Sequence, residues 1–270
     1  MTELQYADTP AGRLSFVRRG AGEPLLLIMG VAGHHGMWSE EFLSRLGERF
    51  DVITFDHRGI GASMRAEGQF TIPDLAADAL AVMDHAGWDS AHVMGISMGG
   101  TIAQEVVLTA PERVRSLVLG CTWPGPDPDG DETWGEAVLD LASAATSDDP
   151  LTSAKLMFEA NVSTSFAAER GRFEEFVTVA GSVKVPGPVI LMQMKAATDH
   201  DAVAGLAGVQ TPTLVMHGTG DRVIRPEAGE LLADLVPDAD LELWPGVGHL
   251  FFWEQPERAA SSVTEHCLGS

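Results

Sequence analysis

Apolar and polar positions follow one another along this chain in two patterns, short unbroken runs and one-sided stripes. Pro24-Leu25-Leu26-Leu27-Ile28-Met29 is an unbroken run, as expected of a strand buried on both faces, and Leu14 to Arg18 precedes it as a shorter strand. Trp38 to Phe50 carries Trp38, Phe42, Leu43, Leu46 and Phe50 in the stripe of a helix that covers such a sheet. The alternation continues with a strand at Asp51 to Phe55, a helix at Ile72 to Ala86, a strand at Ala91 to Ile96, a helix at Met98 to Thr109 and a strand at Val114 to Leu119. This order predicts an α/β fold: a mostly parallel central sheet, right-handed crossovers and flanking helices.

The pattern breaks after Gly120. Residues 121–130 are a dense run of turn formers, and about 80 residues beyond them carry helical stripes without a convincing strand. Sheet elements resume with a strand at Pro212 to Met216, a helix at Pro226 to Leu235, a strand at Asp240 to Trp244 and a helix at Glu254 to Cys267. The expected organisation is one core, residues 1–126 and 208–270, carrying residues 127–207 as a helical lid.

With 270 residues, 45% of them hydrophobic and 21% charged, and a mean hydropathy near +0.06, the chain can bury a large core and is neither disordered nor membrane-like. Seventeen basic against 39 acidic residues give a net charge of −22, a field that repels nucleic acid and anionic membrane surfaces. The two cysteines, Cys121 and Cys267, allow one bridge but no disulfide framework, so a reducing compartment is expected. Met1 to Pro10 lacks a signal-peptide pattern, and no apolar run approaches a membrane span. The expected setting is the cytoplasm.

Gly95-Ile96-Ser97-Met98-Gly99-Gly100 lies between a predicted strand and a predicted helix and matches G-x-S-x-G in the context that motif requires. Glycines at 95 and 99 permit a sharp elbow that presents the Ser97 hydroxyl at the carboxyl edge of the sheet and at a helix start, where free N–H groups favour negative charge. A serine needs a base and a group to orient that base. Asp221, in His217-Gly218-Thr219-Gly220-Asp221, and His249, in Gly246-Val247-Gly248-His249, each follow a predicted strand at the same edge.

The order Ser, Asp, His, the elbow, the segment Phe55-Asp56-His57-Arg58-Gly59-Ile60-Gly61-Ala62-Ser63, and Gly248-His249-Leu250-Phe251-Phe252-Trp253-Glu254-Gln255-Pro256-Glu257 together resemble the α/β-hydrolase superfamily. The resemblance covers about 14–120 and 210–268. Within the superfamily the chain is most similar to lidded esterases, enol-lactone hydrolases, methyl esterases and cofactor-free perhydrolases. It implies the α/β-hydrolase fold with a helical lid after the sixth strand, Ser97 as nucleophile, His249 as general base and acid, and Asp221 as the group that orients His249. It also implies an oxyanion hole made by the N–H groups of Val31 and Met98, although Met29-Gly30 stands where many relatives have His-Gly.

His34 and His35 lack the spacing of metal ligands, so no metal is expected, and His34 is placed at the pocket mouth as a substrate contact. Arg58 and Asp56 are expected to be structural, His217 a core or edge histidine, and the His200-Asp201 pair has no assigned role. Trp123 and the lid residues Trp134, Phe158, Phe166, Phe173, Phe176, Met157, Met192 and Met194 are enough to cover an apolar pocket, with Trp123 expected to touch substrate. Nucleotide, haem and zinc motifs are absent, so no cofactor is expected.

The resulting expectation is a cofactor-independent serine hydrolase of small, largely apolar carboxylic esters or lactones. Neither nucleic acid nor membrane is an expected partner, and a homo-oligomer stays open. The same triad also serves carbon–carbon hydrolases and perhydrolases, and a slow-turnover ligand sensor could retain it.

Overall fold

The computed structural model describes residues 3–126 and 133–269. Its strands are β1 (Leu4–Thr9), β2 (Gly12–Gly20), β3 (Glu23–Ile28), β4 (Phe50–Phe55), β5 (Ala91–Ile96), β6 (Val114–Gly120), β7 (Thr213–Gly218) and β8 (Asp240–Trp244). They form one sheet in the order β1-β2-β4-β3-β5-β6-β7-β8. The β2 strand pairs antiparallel with both neighbours, and from β4 to β8 every pairing is parallel.

The apolar run in β3 divides between the two faces. Leu26 and Ile28 belong to the core on the face covered by α2 (Ile72–His85), α3 (Met98–Thr109) and α10 (Pro226–Leu235), whereas Leu25 and Leu27 belong to the core on the face covered by α1 (Glu40–Leu46) and α12 (Pro256–Leu268). Burial on both faces is why this strand has no polar alternation. On the second face Trp38, Phe42 and Phe252 form an aromatic wedge, with Trp38 and Phe252 ring centroids 4.6 Å apart.

Three elements depart most from the sequence expectation. The expected helix Trp38–Phe50 is shorter, because Ser39 caps α1 by accepting from Phe42 N at 3.2 Å and the helix stops at Gly47; Phe50 instead opens β4. The expected helix from Glu254 to Cys267 divides at Gln255, which Pro256 holds out of helical geometry, giving α11 (Phe251–Glu254) before α12. The β1 strand was not expected at all: it is an edge strand, with Leu4 and Tyr6 exposed and Ala7 its one buried residue, so it lacks a two-faced apolar signal.

Between β6 and β7 the described chain passes through α4 (Val138–Thr146), α5 (Pro150–Asn161), α6 (Thr164–Ala167), α7 (Arg172–Ala180), α8 (Gly187–Thr198) and α9 (Val203–Leu206). The expected start of the insertion, residue 127, lies outside the described residues. Both ends are stitched to the core. Ala202 N donates to Pro124 O at 2.7 Å, and residues 133–137 pair with 222–225 through Arg225 N to Thr133 O (3.0 Å), Gly135 N to Val223 O and Ala137 N to Arg222 O (both 2.8 Å).

Polar groups in the interior have specific partners. Arg58 makes a two-point contact with Asp78, at 2.8 and 2.9 Å, and Asp56 accepts from His35 N, His35 Nδ1 and Ser15 Oγ at 2.7, 2.9 and 2.8 Å. Both residues therefore serve the structure. Cys121 and Cys267 are unbridged, Cys267 accepting from Ser116 Oγ at 3.3 Å.

His34, His92 and His200 are buried, and burial pushes each pKa down to about 4. Free histidine titrates at about 6.5, so from there down to about pH 4 the unfolded chain binds more protons than the folded one. Stability therefore falls as pH falls through that window. Thermal melts should show Tm dropping across it, with a smaller drop in His200→Gln; equal drops in both proteins would remove His200 from the account. A second expectation concerns Gly99, where an added Cβ would lie 2.0 Å from Ile28 O. Gly99→Ala should lower Tm by several degrees or prevent folding, read by the same melts.

Candidate active site

Ser97 sits where β5 ends and α3 begins, and its backbone holds the turn. Its φ of 56° and ψ of −126° lie where few non-glycine residues are found, a conformation that costs on the order of 1–3 kcal/mol. Ser97 N donates to Gly120 O at 2.9 Å, Thr122 Oγ1 donates to Ser97 O at 2.7 Å, and Gly100 N donates to the same carbonyl at 2.8 Å. The turn also needs close approach: a Cβ on Gly95 would lie 2.0 Å from Gly99 O. The Ser97 hydroxyl makes no hydrogen bond among the described residues.

Asp221 follows β7 and His249 follows β8. His249 Nδ1 donates to Asp221 Oδ2 at 2.7 Å, and both side chains are buried. Asp221 Oδ1 accepts from Val223 N and Ile224 N at 2.8 and 3.1 Å, which fixes the carboxylate plane. Burial pushes the Asp221 carboxyl up, but the charge of His249 and hydrogen bonds from His217 and His249 outweigh burial and hold it well below the usual carboxylate range. His217 Nε2 donates to Ile224 O at 3.1 Å and stands 3.3 Å from Asp221 Oδ2, so this histidine lies behind the acid and away from the cavity.

The His249 loop is held from the insertion. Leu250 N donates to Asn161 O at 2.8 Å, and Glu254 accepts from Gly248 N (2.9 Å), Ser163 N (2.7 Å) and Ser163 Oγ (2.6 Å). Gly248 is required there because a Cβ would lie 2.6 Å from Ser163 N.

Ser97 and His249 both line a cavity of about 290 Å³ between the sheet edge and the insertion. Its walls include Val31, Trp123, Met157, Phe176, Ile190 and Met194; among the described residues no Asp, Glu, Lys or Arg side chain reaches it. Val31 belongs to the loop after β3 and Met98 is the first residue of α3. Neither of their N–H groups is engaged in a hydrogen bond among the described residues. Trp123 is in the wall, and its carbonyl accepts from Gln104 Nε2 at 3.0 Å, with Gln104 Oε1 in turn 3.3 Å from His200 Nε2. That chain gives His200 a place: it steadies a cavity wall.

His34 is a correction. It was expected at the pocket mouth, but its side chain is fully buried outside the cavity, where Nδ1 accepts from Gly36 N at 3.1 Å. Of the aromatic and methionine residues expected over the pocket, Trp134, Phe176, Met157 and Met194 reach it, while Phe158 and Phe166 pack inside the insertion. Asn161 and Gln193, which touch the site or its loops, carry no sequence signal, because a helical stripe does not tell which residue meets which loop.

Comparison with known proteins agrees with this architecture. The family model described as alpha/beta hydrolase fold matches residues 23–256. RutD of Azorhizobium caulinodans, which carries a carbamate hydrolase name, is 30% identical over 255 residues, covering 94% of each chain. BpoC of Mycobacterium tuberculosis, which carries a non-heme bromoperoxidase name, is 29% identical over 252 residues, covering 93% of this chain and 95% of its own. A thermophilic esterase from Thermogutta terrifontis superimposes with a TM-score of 0.81 at 26% identity over 97% of both chains. Eight strands, an insertion after the sixth and a match spanning most of the sequence place this chain in the α/β-hydrolase family.

Proposed function

We propose that this protein is a serine hydrolase that cleaves a carboxylic ester or lactone of a small, largely apolar substrate through an acyl-enzyme. The observation that carries the reading is the 2.7 Å His249–Asp221 bond, made beside the same cavity that Ser97 and the free N–H of Val31 border. Ser97 Oγ attacks the substrate carbonyl while His249 Nε2 takes its proton, and Asp221 keeps Nδ1 protonated and stabilises the imidazolium. The N–H groups of Val31 and Met98 receive the oxyanion. His249 then gives its proton to the leaving alkoxide and activates a water that releases the acid. Residues 127–207 act as a lid over this chemistry, carried on the core of residues 1–126 and 208–270.

The cavity wall supports the substrate class. A carboxylate or ammonium drawn into a space with no opposing charge among its described lining would lose hydration without compensation. Neutral acyl groups do not meet that cost. The unbridged cysteines suit a reducing cytoplasm.

Hydrolysis of short- and medium-chain p-nitrophenyl esters and simple lactones, with intact mass spectrometry of the acyl-enzyme, tests the reading. Ser97→Ala should lower kcat on the order of 10⁶-fold and abolish the adduct; undiminished turnover would refute the assignment. Asp221→Asn should lower kcat by about 10⁴-fold with KM little changed, because the imidazole loses its orienting charge. Product analysis distinguishes ester or lactone cleavage from carbon–carbon cleavage on the same triad.

A further inference from the structure

The loop that carries the Val31 N–H is held from outside the core. Gln193, on α8 of the insertion, is fully buried, and its Oε1 accepts from Ala32 N at 2.9 Å. We infer that Gln193 is a positioning residue for the oxyanion hole, setting the direction of the Val31 N–H by locking the peptide next to it; the inference rests on the serine-hydrolase reading above.

Successive peptide planes of this loop are held one by one. His57 Nε2 donates to Met29 O at 2.8 Å and so fixes the peptide between 29 and 30. Gln193 fixes the peptide between 31 and 32 through the Ala32 N–H. Between them lies one peptide, 30 to 31, whose carbonyl accepts from Gly33 N at 3.2 Å and whose N–H is the proposed oxyanion donor. With both neighbours held, that plane has little freedom to turn. Gly30 keeps it close to the nucleophile, since a Cβ there would lie 2.9 Å from Ser97 Cβ.

Two further observations indicate that the contact has a purpose beyond filling space. Gln193 Nε2 is buried without a partner, so this amide carries a desolvation cost that an apolar side chain of similar size would avoid. Ala32 has φ 60°, a left-handed conformation that alanine holds only when its surroundings impose it. Gln193 supplies part of that hold.

The helix itself is anchored to the core. Gln69 Nε2 donates to Met192 O at 2.9 Å, Val189 packs where a Cβ on Gly59 would come within 2.8 Å, and just ahead of the helix Gly61 N donates to Lys184 O at 3.0 Å. Ile190 and Met194, on the same helix, line the cavity. The cavity wall and the hold on the loop after β3 thus share one helix.

The test uses Gln193→Met, which keeps length and volume but removes the acceptor, in the full chain. Readouts are kcat and KM on p-nitrophenyl butyrate, the inhibition constant of butylboronic acid as a tetrahedral mimic, and the affinity of the non-cleavable ether analogue. The expected result is kcat lowered about 10- to 100-fold, KM and ether affinity within threefold, and boronate affinity weakened in step with kcat. Boronate affinity within twofold of wild type, or equal losses for boronate and ether, would overturn the inference. If the variant does not fold, hydrogen exchange on the wild-type protein decides: the Ala32 amide should exchange much more slowly than the Val31 amide, and equal rates would overturn it. Ser97→Ala serves as the separate control, because turnover surviving in it would sink the hydrolase reading itself, whereas its loss with an unaffected Gln193→Met sinks only the role given to Gln193.

Discussion

A serine at φ 56° cannot keep that conformation by its own preference, and the rest of the site is arranged around the forces that impose it. The carbonyl of Gly120 holds its N–H and the Thr122 hydroxyl holds its carbonyl, so the end of β6 grips the elbow from one side. From the other, the end of β3 presses so closely on Gly99 that no side chain fits between them. These contacts require three neighbouring parallel strands to end at the same height. The parallel register of β3, β5 and β6 is therefore a condition of the site as well as of the core.

The helical insertion participates in the same geometry. It bonds to three segments around the cavity: residues 133–137 pair beside Asp221, Asn161 and Ser163 meet Leu250 and Glu254 next to His249, and Gln193 meets the loop after β3. A segment joined to the sheet at so many points behaves as part of one folded unit. Motions that open the cavity must either leave those bonds in place or break them together, which restricts movement to the stretches between anchors.

Much of this was legible in the sequence because it is local. The elbow motif depends on residues adjacent in the chain, and Asp221 and His249 follow strands whose apolar runs are easily read, so the placement of all three at one sheet edge could be expected from the order of elements. The boundaries of α3, α10, β5 and β8 matched for the same reason. What could not be read depends on contacts between distant segments. β1 is an edge strand without an apolar face, and α1 was shortened by a serine cap that a hydrophobic stripe does not reveal. His34 reads as a residue at the pocket mouth, yet its ring is buried and accepts from Gly36 N within its own turn. Gln193 and Asn161 differ in no visible way from other polar residues of the insertion until the loops they meet are placed.

The α8 helix divides its labour by position. Ile190 and Met194 face the cavity, whereas Val189 and Gln193 face the core, so neighbouring residues on one helix answer to different demands. Exchange of one apolar residue for another at 190 or 194 alters the shape of the cavity and leaves the anchors intact. The shape of the cavity can thus change by single substitutions while the anchors stay fixed, and an insertion taken from a relative would seat here only if the core residues its anchors meet, such as Gln69 and the Ala32 N–H, were matched.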